Sequence, residues 1–164
     1  MIVVSDTSPI TNLAAIGQLD LLQRLYTRII IPVAVYDEMV NVGKPVPGAT
    51  EVRTLSWIQT QAVVDRQRVN TIRESEENID LGEAEAIILA LEIKTDLLLM
   101  DERRGRLVAT SYGLQVTGLL GVLVQAKRNS LIQSVKPLLD QLIDQADFRV
   151  SDQLYTTILQ IANE

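Results

Sequence analysis

Two short apolar runs in this chain each stop on a carboxylate: Ile2-Val3-Val4-Ser5 ends at Asp6, and Leu97-Leu98-Leu99-Met100 ends at Asp101. Unbroken apolar runs bounded by polar turns read as strands buried on both faces, the kind that parallel sheets use. Ile29-Ile30-Ile31, Trp57 to Thr60 and Gln115-Val116-Thr117 supply three more strands. Between them the apolar residues recur at helical spacing. Ile10, Leu13 and Ala14 mark a helix that ends at Gly17, and Leu19, Leu22 and Leu25 mark a second short one. Val33, Tyr36 and Val40 follow Pro32, which suits a helix start, and this helix carries Asp37 and Glu38 in its middle.

Asp80-Leu81-Gly82-Glu83 has the spacing of a capping box, in which two side chains reciprocally take each other's backbone N–H groups. Leu81, Ala84, Ile88 and Leu91 continue it as an apolar stripe down to Ile93. Glu102-Arg103-Arg104-Gly105-Arg106 leads into a short helix that Gly113 terminates. Leu119 to Lys127 follows, with Thr117 as its expected cap, and Val135 to Ile143 and Leu154 to Ile161 are two further amphipathic helices. Asn41 to Thr50, with two Pro and two Gly, reads as a loop. Asp65 to Asn78 mixes both charges without clear periodicity, and reads as an exposed helix or a mobile connection near a substrate groove.

Strands alternating with helices imply right-handed crossovers and a parallel sheet covered on both faces, so the class is α/β. No repeat or linker divides the chain, and its 164 residues suit a single domain over 1–164. In open parallel sheets, ligands gather beyond the carboxyl ends of the strands, where the strand order reverses. If the first and fourth strands are neighbours at that point, Asp6 and Asp101 stand side by side.

Composition narrows the chemistry. There is no Cys and no His, which removes disulfides, thiolate sites, the commonest zinc ligand and the commonest general base. Carboxylates, hydroxyls and carbonyls remain, and these favour Mg²⁺ or Mn²⁺. The net charge of -6 gives no global attraction to nucleic acid, so such a partner has to be held locally. The first residues lack the pattern of a signal peptide and no apolar run approaches a membrane span, so the expectation is a soluble cytoplasmic protein with no membrane contact.

Metal-assisted chemistry on phosphodiesters needs carboxylates converging from different elements. Asp6, Glu38, Glu83 and Asp101 are the candidates. Each also has a plain structural reading: Asp6 and Asp101 as helix caps, Glu83 as the closing half of the capping box, Glu38 as a solvated helix residue. Arg103, Arg104 and Arg106, like Lys127 and Arg128, read either as phosphate contacts or as solvated surface. Few aromatics lie near these motifs, so base stacking of the kind that single-strand binders use is expected to be limited.

Taken together, the Ser5-Asp6-Thr7-Ser8 strand end, the Pro32-Val33-Ala34-Val35-Tyr36-Asp37-Glu38 helix, the Gly82-Glu83-Ala84-Glu85-Ala86-Ile87 helix and Leu99-Met100-Asp101-Glu102-Arg103-Arg104-Gly105-Arg106 resemble the PIN-domain ribonucleases. Gly118-Leu119-Leu120-Gly121-Val122-Leu123 and Phe148-Arg149-Val150-Ser151 narrow the resemblance to a prokaryotic PIN-like branch. The resemblance implies a three-layer α/β/α fold with a central parallel sheet, and an acidic site that binds Mg²⁺ or Mn²⁺ to hydrolyse RNA. It implies catalytic and metal-binding roles for Asp6, Glu38, Glu83 and Asp101, with Thr7 or Ser8 at the hydroxyl position beside the first acid as substrate-binding residues, and Glu85 as the alternative to Glu83. Many relatives are toxins of toxin-antitoxin pairs, which implies a homodimer or an antitoxin-like protein partner. The apolar stretches Leu119 to Leu123 and Leu138-Leu139 would permit such an interface, with core packing as the alternative. Two rival readings differ in class. An aspartyl-nucleophile phosphatase of one large type needs a second Asp where Ser8 stands. A catalytically inactive RNA-binding or protein-interaction module requires a decayed site, whereas all four acids are present.

Overall fold

The computed structural model describes residues 1–164. Its strands are β1 (Val3–Ser5), β2 (Ile29–Pro32), β3 (Ile58–Gln61), β4 (Leu97–Leu99) and β5 (Val116–Thr117). All pair in parallel, in the order β3-β2-β1-β4-β5. The chain moves outward from β1 through β2 to β3, then returns to lay β4 on the other side of β1. The reversal therefore falls between β1 and β4, which pair Val3 with Leu97, Val4 with Leu98 and Ser5 with Leu99. The Asp6 amide extends the ladder by donating to the Leu99 carbonyl at 2.9 Å.

Side chains alternate across a strand, so each strand feeds two cores. Val3, Ile29, Ile31 and Leu99 face one of them, shared with α1 (Thr7–Ala15), α2 (Asp20–Tyr26), α8 (Leu119–Arg128), α9 (Lys136–Gln145) and α10 (Asp152–Ile161). Val4, Leu98 and Met100 face the other, shared with α5 (Arg66–Ser75), α6 (Leu81–Glu92) and α7 (Arg103–Ser111). The remaining helices are α3 (Val33–Val40) and α4 (Ala49–Thr54), which join the first core through Val35, Met39 and Val52. Helices on both faces of a five-stranded parallel sheet make the three-layer α/β/α arrangement. No helix is long and apolar enough to cross a membrane.

Three local expectations change. The N-cap of α8 is Gly118 rather than Thr117, which instead completes β5 opposite Leu99. The end of the Asn41–Thr50 loop turns into α4, entered through Gly48 at φ 89°. Gly48 is needed there on two counts, since a Cβ would also meet Ala14 and Met39 at 3.1 Å. The apolar stretches offered as an interface lie inward: Leu119, Val122, Leu123, Leu138 and Leu139 are all buried in the larger core.

Of the two readings of the charged segment after Asp65, the helix is realised as α5. Asp65 caps it by accepting from the Arg68 amide at 3.1 Å, and Val69 and Ile72, three apart, are buried beside α6. Two apolar residues are enough because α6 offers an apolar surface to receive them. Ile72→Ala should therefore cost roughly 2–5 kcal/mol in urea unfolding, as for any fully buried aliphatic. A loss under about 0.5 kcal/mol, the usual effect of a surface change, would mean that α5 is not packed as described.

Candidate active site

At the carboxyl ends of β1 and β4 lies a cleft of about 370 Å³, lined by Asp6, Thr7, Ser8, Glu38, Asp80, Glu83, Asp101, Glu102, Phe148 and Arg149. Asp6 leaves β1 and takes the N-cap position of α1 with an extended backbone, yet its carboxylate makes no capping hydrogen bond. It is nearly buried, at 7% exposure. The two hydroxyls of the first turn of α1 reach sideways to other acids: Thr7 donates to Glu38, and Ser8 donates to Asp101 Oδ2 at 2.9 Å. The two hydroxyls expected at the substrate side thus also hold carboxylates in place.

Glu38 comes from α3 and rests on the first turn of α6, where the Gly82 N–H helps to stabilise its charge. A Cβ at Gly82 would stand 2.5 Å from Glu38 Oε1, so only glycine lets the carboxylate approach. Asp80 and Glu83 form the expected capping box, with Glu83 N–H to Asp80 Oδ1 at 2.8 Å and Asp80 N–H to Glu83 Oε2 at 3.1 Å. The box also turns both acids toward the cleft, so Asp80, read from the sequence as a cap alone, belongs to its lining. The box spacing was the signal, because a capping residue and its partner share one helix end.

Asp101 does not cap α7, the helix that follows it; Glu102 has that position and makes no capping bond. Instead Asp101 Oδ1 accepts from the Leu119 N–H at 2.6 Å, across the β4–β5 edge at the start of α8. Gly118 permits this approach, since a Cβ there would lie 3.0 Å from Asp101 Oδ1 and 2.8 Å from Arg106 Nη1. Glu85 is turned elsewhere. Its Oε1 accepts from the Ala34 N–H of α3 at 3.0 Å and its Oε2 pairs with Arg66 at 2.6 Å. Between the two acids of α6, the cleft therefore holds Glu83.

The three arginines diverge. Arg104 pairs with Glu76 and lies outside the cleft. Arg103 and Arg106 line a shallower groove of about 380 Å³ that shares Asp101 with it. Lys127 is spent on the Ala162 carbonyl and Glu164. Phe148 and Arg149 arrive from the far end of the chain, and sequence distance concealed them.

Six carboxylates and a single guanidinium thus share this cleft. Burial pushes Asp6 up to about 8, only partly offset by the Thr7 N–H and reinforced by Glu83, Asp80 and Glu38. Burial likewise pushes Glu83 up to about 7 against the Asp80 N–H, with Asp80, Glu102 and Glu38 adding repulsion. Glu38 and Asp101 are raised for the same first reason, and Asp101 is restrained by the Leu119 N–H, Ser8 and Arg106. As the side chains stand, no three acids are gathered around one point close enough to share an ion. Their donor chemistry is nonetheless the all-oxygen set of a hard divalent cation, and the protein's basic groups compensate only a small part of their charge.

A carboxyl whose folded-state pKa is raised keeps a proton that the unfolded chain gives up. Its stabilising contribution is complete below about pH 4 and is lost as the pH rises through the folded values of about 7 and about 8. Asp140, held low by the Tyr155 hydroxyl and Lys136, titrates below this window. Without divalent ions the melting temperature should fall between about pH 5 and pH 8. Mn²⁺ should raise it more at the upper end, where fewer protons compete. Asp6→Asn should flatten the profile. A thermal-shift series showing a rising melting temperature, or a Mn²⁺ effect larger at the acid end, would contradict this electrostatic account.

Comparisons with curated proteins and with solved structures each returned no match. A family model described as a PIN domain matches residues 2–164, nearly the whole chain, and the fold is the nuclease-like one that this description carries. With a family model matched from the first residues of β1 to the last residue after α10, the chain belongs to the PIN-domain family.

Proposed function

We propose that this chain is a divalent-metal-dependent endoribonuclease, with Asp6, Glu38, Glu83 and Asp101 as the residues that hold Mg²⁺ or Mn²⁺. The observation that carries the reading is the cleft between β1 and β4: six carboxylates from four separate parts of the chain, four of them raised in pKa, against the single guanidinium that shares the cleft. Holding such a cluster with so little compensation destabilises the fold, and a cation is the ligand that would reverse the penalty. Strongly perturbed acids in a cleft are a mark of a working site.

When bound, the metal supplies Lewis-acid polarisation of a phosphoryl oxygen and an activated water nucleophile. The chain's own residues do the rest. Thr7 and Ser8 fix Glu38 and Asp101, so the acids keep their spacing as the phosphate enters. Arg103 and Arg106, in the groove that shares Asp101, suit the phosphates on one side of the scissile bond. Asp80 and Glu102 line the cleft beside these four acids and add to its negative charge.

The family resemblance further supports a role as the toxin of a toxin-antitoxin pair, since unchecked RNA hydrolysis stops growth. Asp101→Asn should abolish cleavage of total RNA in Mn²⁺, lowering the rate by more than the roughly 10–100-fold that loss of even an outer partner of a metal costs. The fold should stay within about 1 kcal/mol of native, because asparagine keeps an oxygen for the Leu119 amide and a polar group beside Ser8. Induced in a bacterial host, the native chain should arrest growth and the variant should not. Native-rate cleavage by Asp101→Asn, or cleavage by the native chain that survives EDTA, would overturn the metal-site reading.

A further inference from the structure

The cleft also carries side chains of different chemistry. Phe148 and Arg149, from the segment between α9 and α10, line it together with the acids. Phe148 is the only phenylalanine of the chain. It is half-buried, resting on the larger core while also lining the cleft. Arg149 is exposed and takes part in none of the structure's four ion pairs, despite the carboxylates that share its cleft.

This segment is pinned at both ends. At its start Asp147 takes a left-handed conformation, φ 53°, and both the Ala146 and Phe148 N–H groups donate to the Leu142 carbonyl at 3.1 Å. At its end the Ser151 hydroxyl caps α10 by accepting from the Leu154 N–H at 3.1 Å. A helix stop and a helix start, four residues apart, set the backbone of Phe148 and Arg149 before any ligand arrives. Such preorganisation is what a binding residue needs and what a passive connection does not.

We propose that Phe148 and Arg149 are the substrate-positioning pair of this site, an inference that rests on the ribonuclease reading above. Phe148 stacks on one unpaired base of a single-stranded RNA, and Arg149 holds the phosphate beside it. An aromatic face and a guanidinium are the usual pair by which single strands are held without sequence readout. The pair also answers the charge problem. A chain of net charge -6 with an acidic cleft repels RNA, and a free cation at the rim gives the backbone a place to enter. Requiring an unstacked base would favour single strands over duplexes.

The test uses the full chain and a fluorescein-labelled twelve-nucleotide single-stranded RNA, with an abasic nucleotide placed at each position in turn. Binding is read by anisotropy in EDTA, and cleavage in Mn²⁺. One abasic position should weaken native binding roughly ten-fold. Phe148→Leu, which keeps an apolar side chain on the core, should bind the intact RNA that weakly and lose nothing more at the abasic position. Phe148→Tyr should behave as native, and in cleavage Phe148→Leu should raise KM with kcat held. Arg149→Ala should lower the slope of log affinity against log salt by about 0.7, and Arg149→Lys should restore it. Native-like binding by Phe148→Leu, indifference to every abasic position, or an unchanged salt slope in Arg149→Ala would overturn the proposal while leaving the ribonuclease reading intact. A native chain that neither binds nor cleaves the RNA would defeat both.

Discussion

Burial of carboxylates that the fold has taken out of water, reinforced by their mutual repulsion, is the constraint on which the rest of this structure depends. Asp6 and Glu83 are nearly buried, and neither makes an ion pair with a basic side chain. What holds the group together is a set of neutral donors: the Thr7 and Ser8 hydroxyls, the Asp80 N–H and the Leu119 N–H. These bonds orient the acids without cancelling their charge, so their proton affinity stays high and the cleft remains ready for a cation. Glu85 shows the contrast. One turn face away on the same helix, it is paired with Arg66 and the Ala34 N–H, and it serves packing between α3, α5 and α6.

Three helix N-termini converge on this cleft, those of α1 behind Asp6, α6 behind Asp80 and α8 behind Asp101. Each contributes a partial positive charge from its unpaired N–H groups, which favours the anionic form without supplying a full counter-charge. The geometry depends on two close approaches, Glu38 onto Gly82 and Asp101 onto Gly118. Neither glycine has a left-handed φ, so it is space rather than backbone freedom that each provides. The β1–β4 adjacency sets where the helices begin, and the helices then set where the acids point.

Much of this was legible in the chain. Apolar runs ending in Asp6 and Asp101 located both strands, and the capping box located α6 to the residue. The adjacency of β1 and β4 was conditional, because a period-two pattern says which residues face a core and nothing about which strand lies beside which. The choice between Glu83 and Glu85 was open for a related reason: helix phase separates two positions by direction, and the direction of the cleft is a tertiary fact. Phe148 and Arg149 were invisible as site residues since they lie 47 and 48 positions past Asp101 and join it only through the return of α9 over the sheet. The bonds of the Thr7 and Ser8 hydroxyls to Glu38 and Asp101 could not be read from the chain, because spacing cannot show which oxygen a hydroxyl holds.

The central claim is that the cleft stores protons which a divalent cation displaces. Isothermal titration of Mn²⁺ into the native chain at pH 7, repeated in two buffers of different ionisation enthalpy, measures that displacement directly. Asp6 and Glu83, with values of about 8 and about 7, are largely and half protonated there, so binding should release roughly one to two protons per ion and the apparent enthalpies should differ between buffers accordingly. Saturable binding with identical enthalpies in both buffers, or no binding at all, would contradict the account.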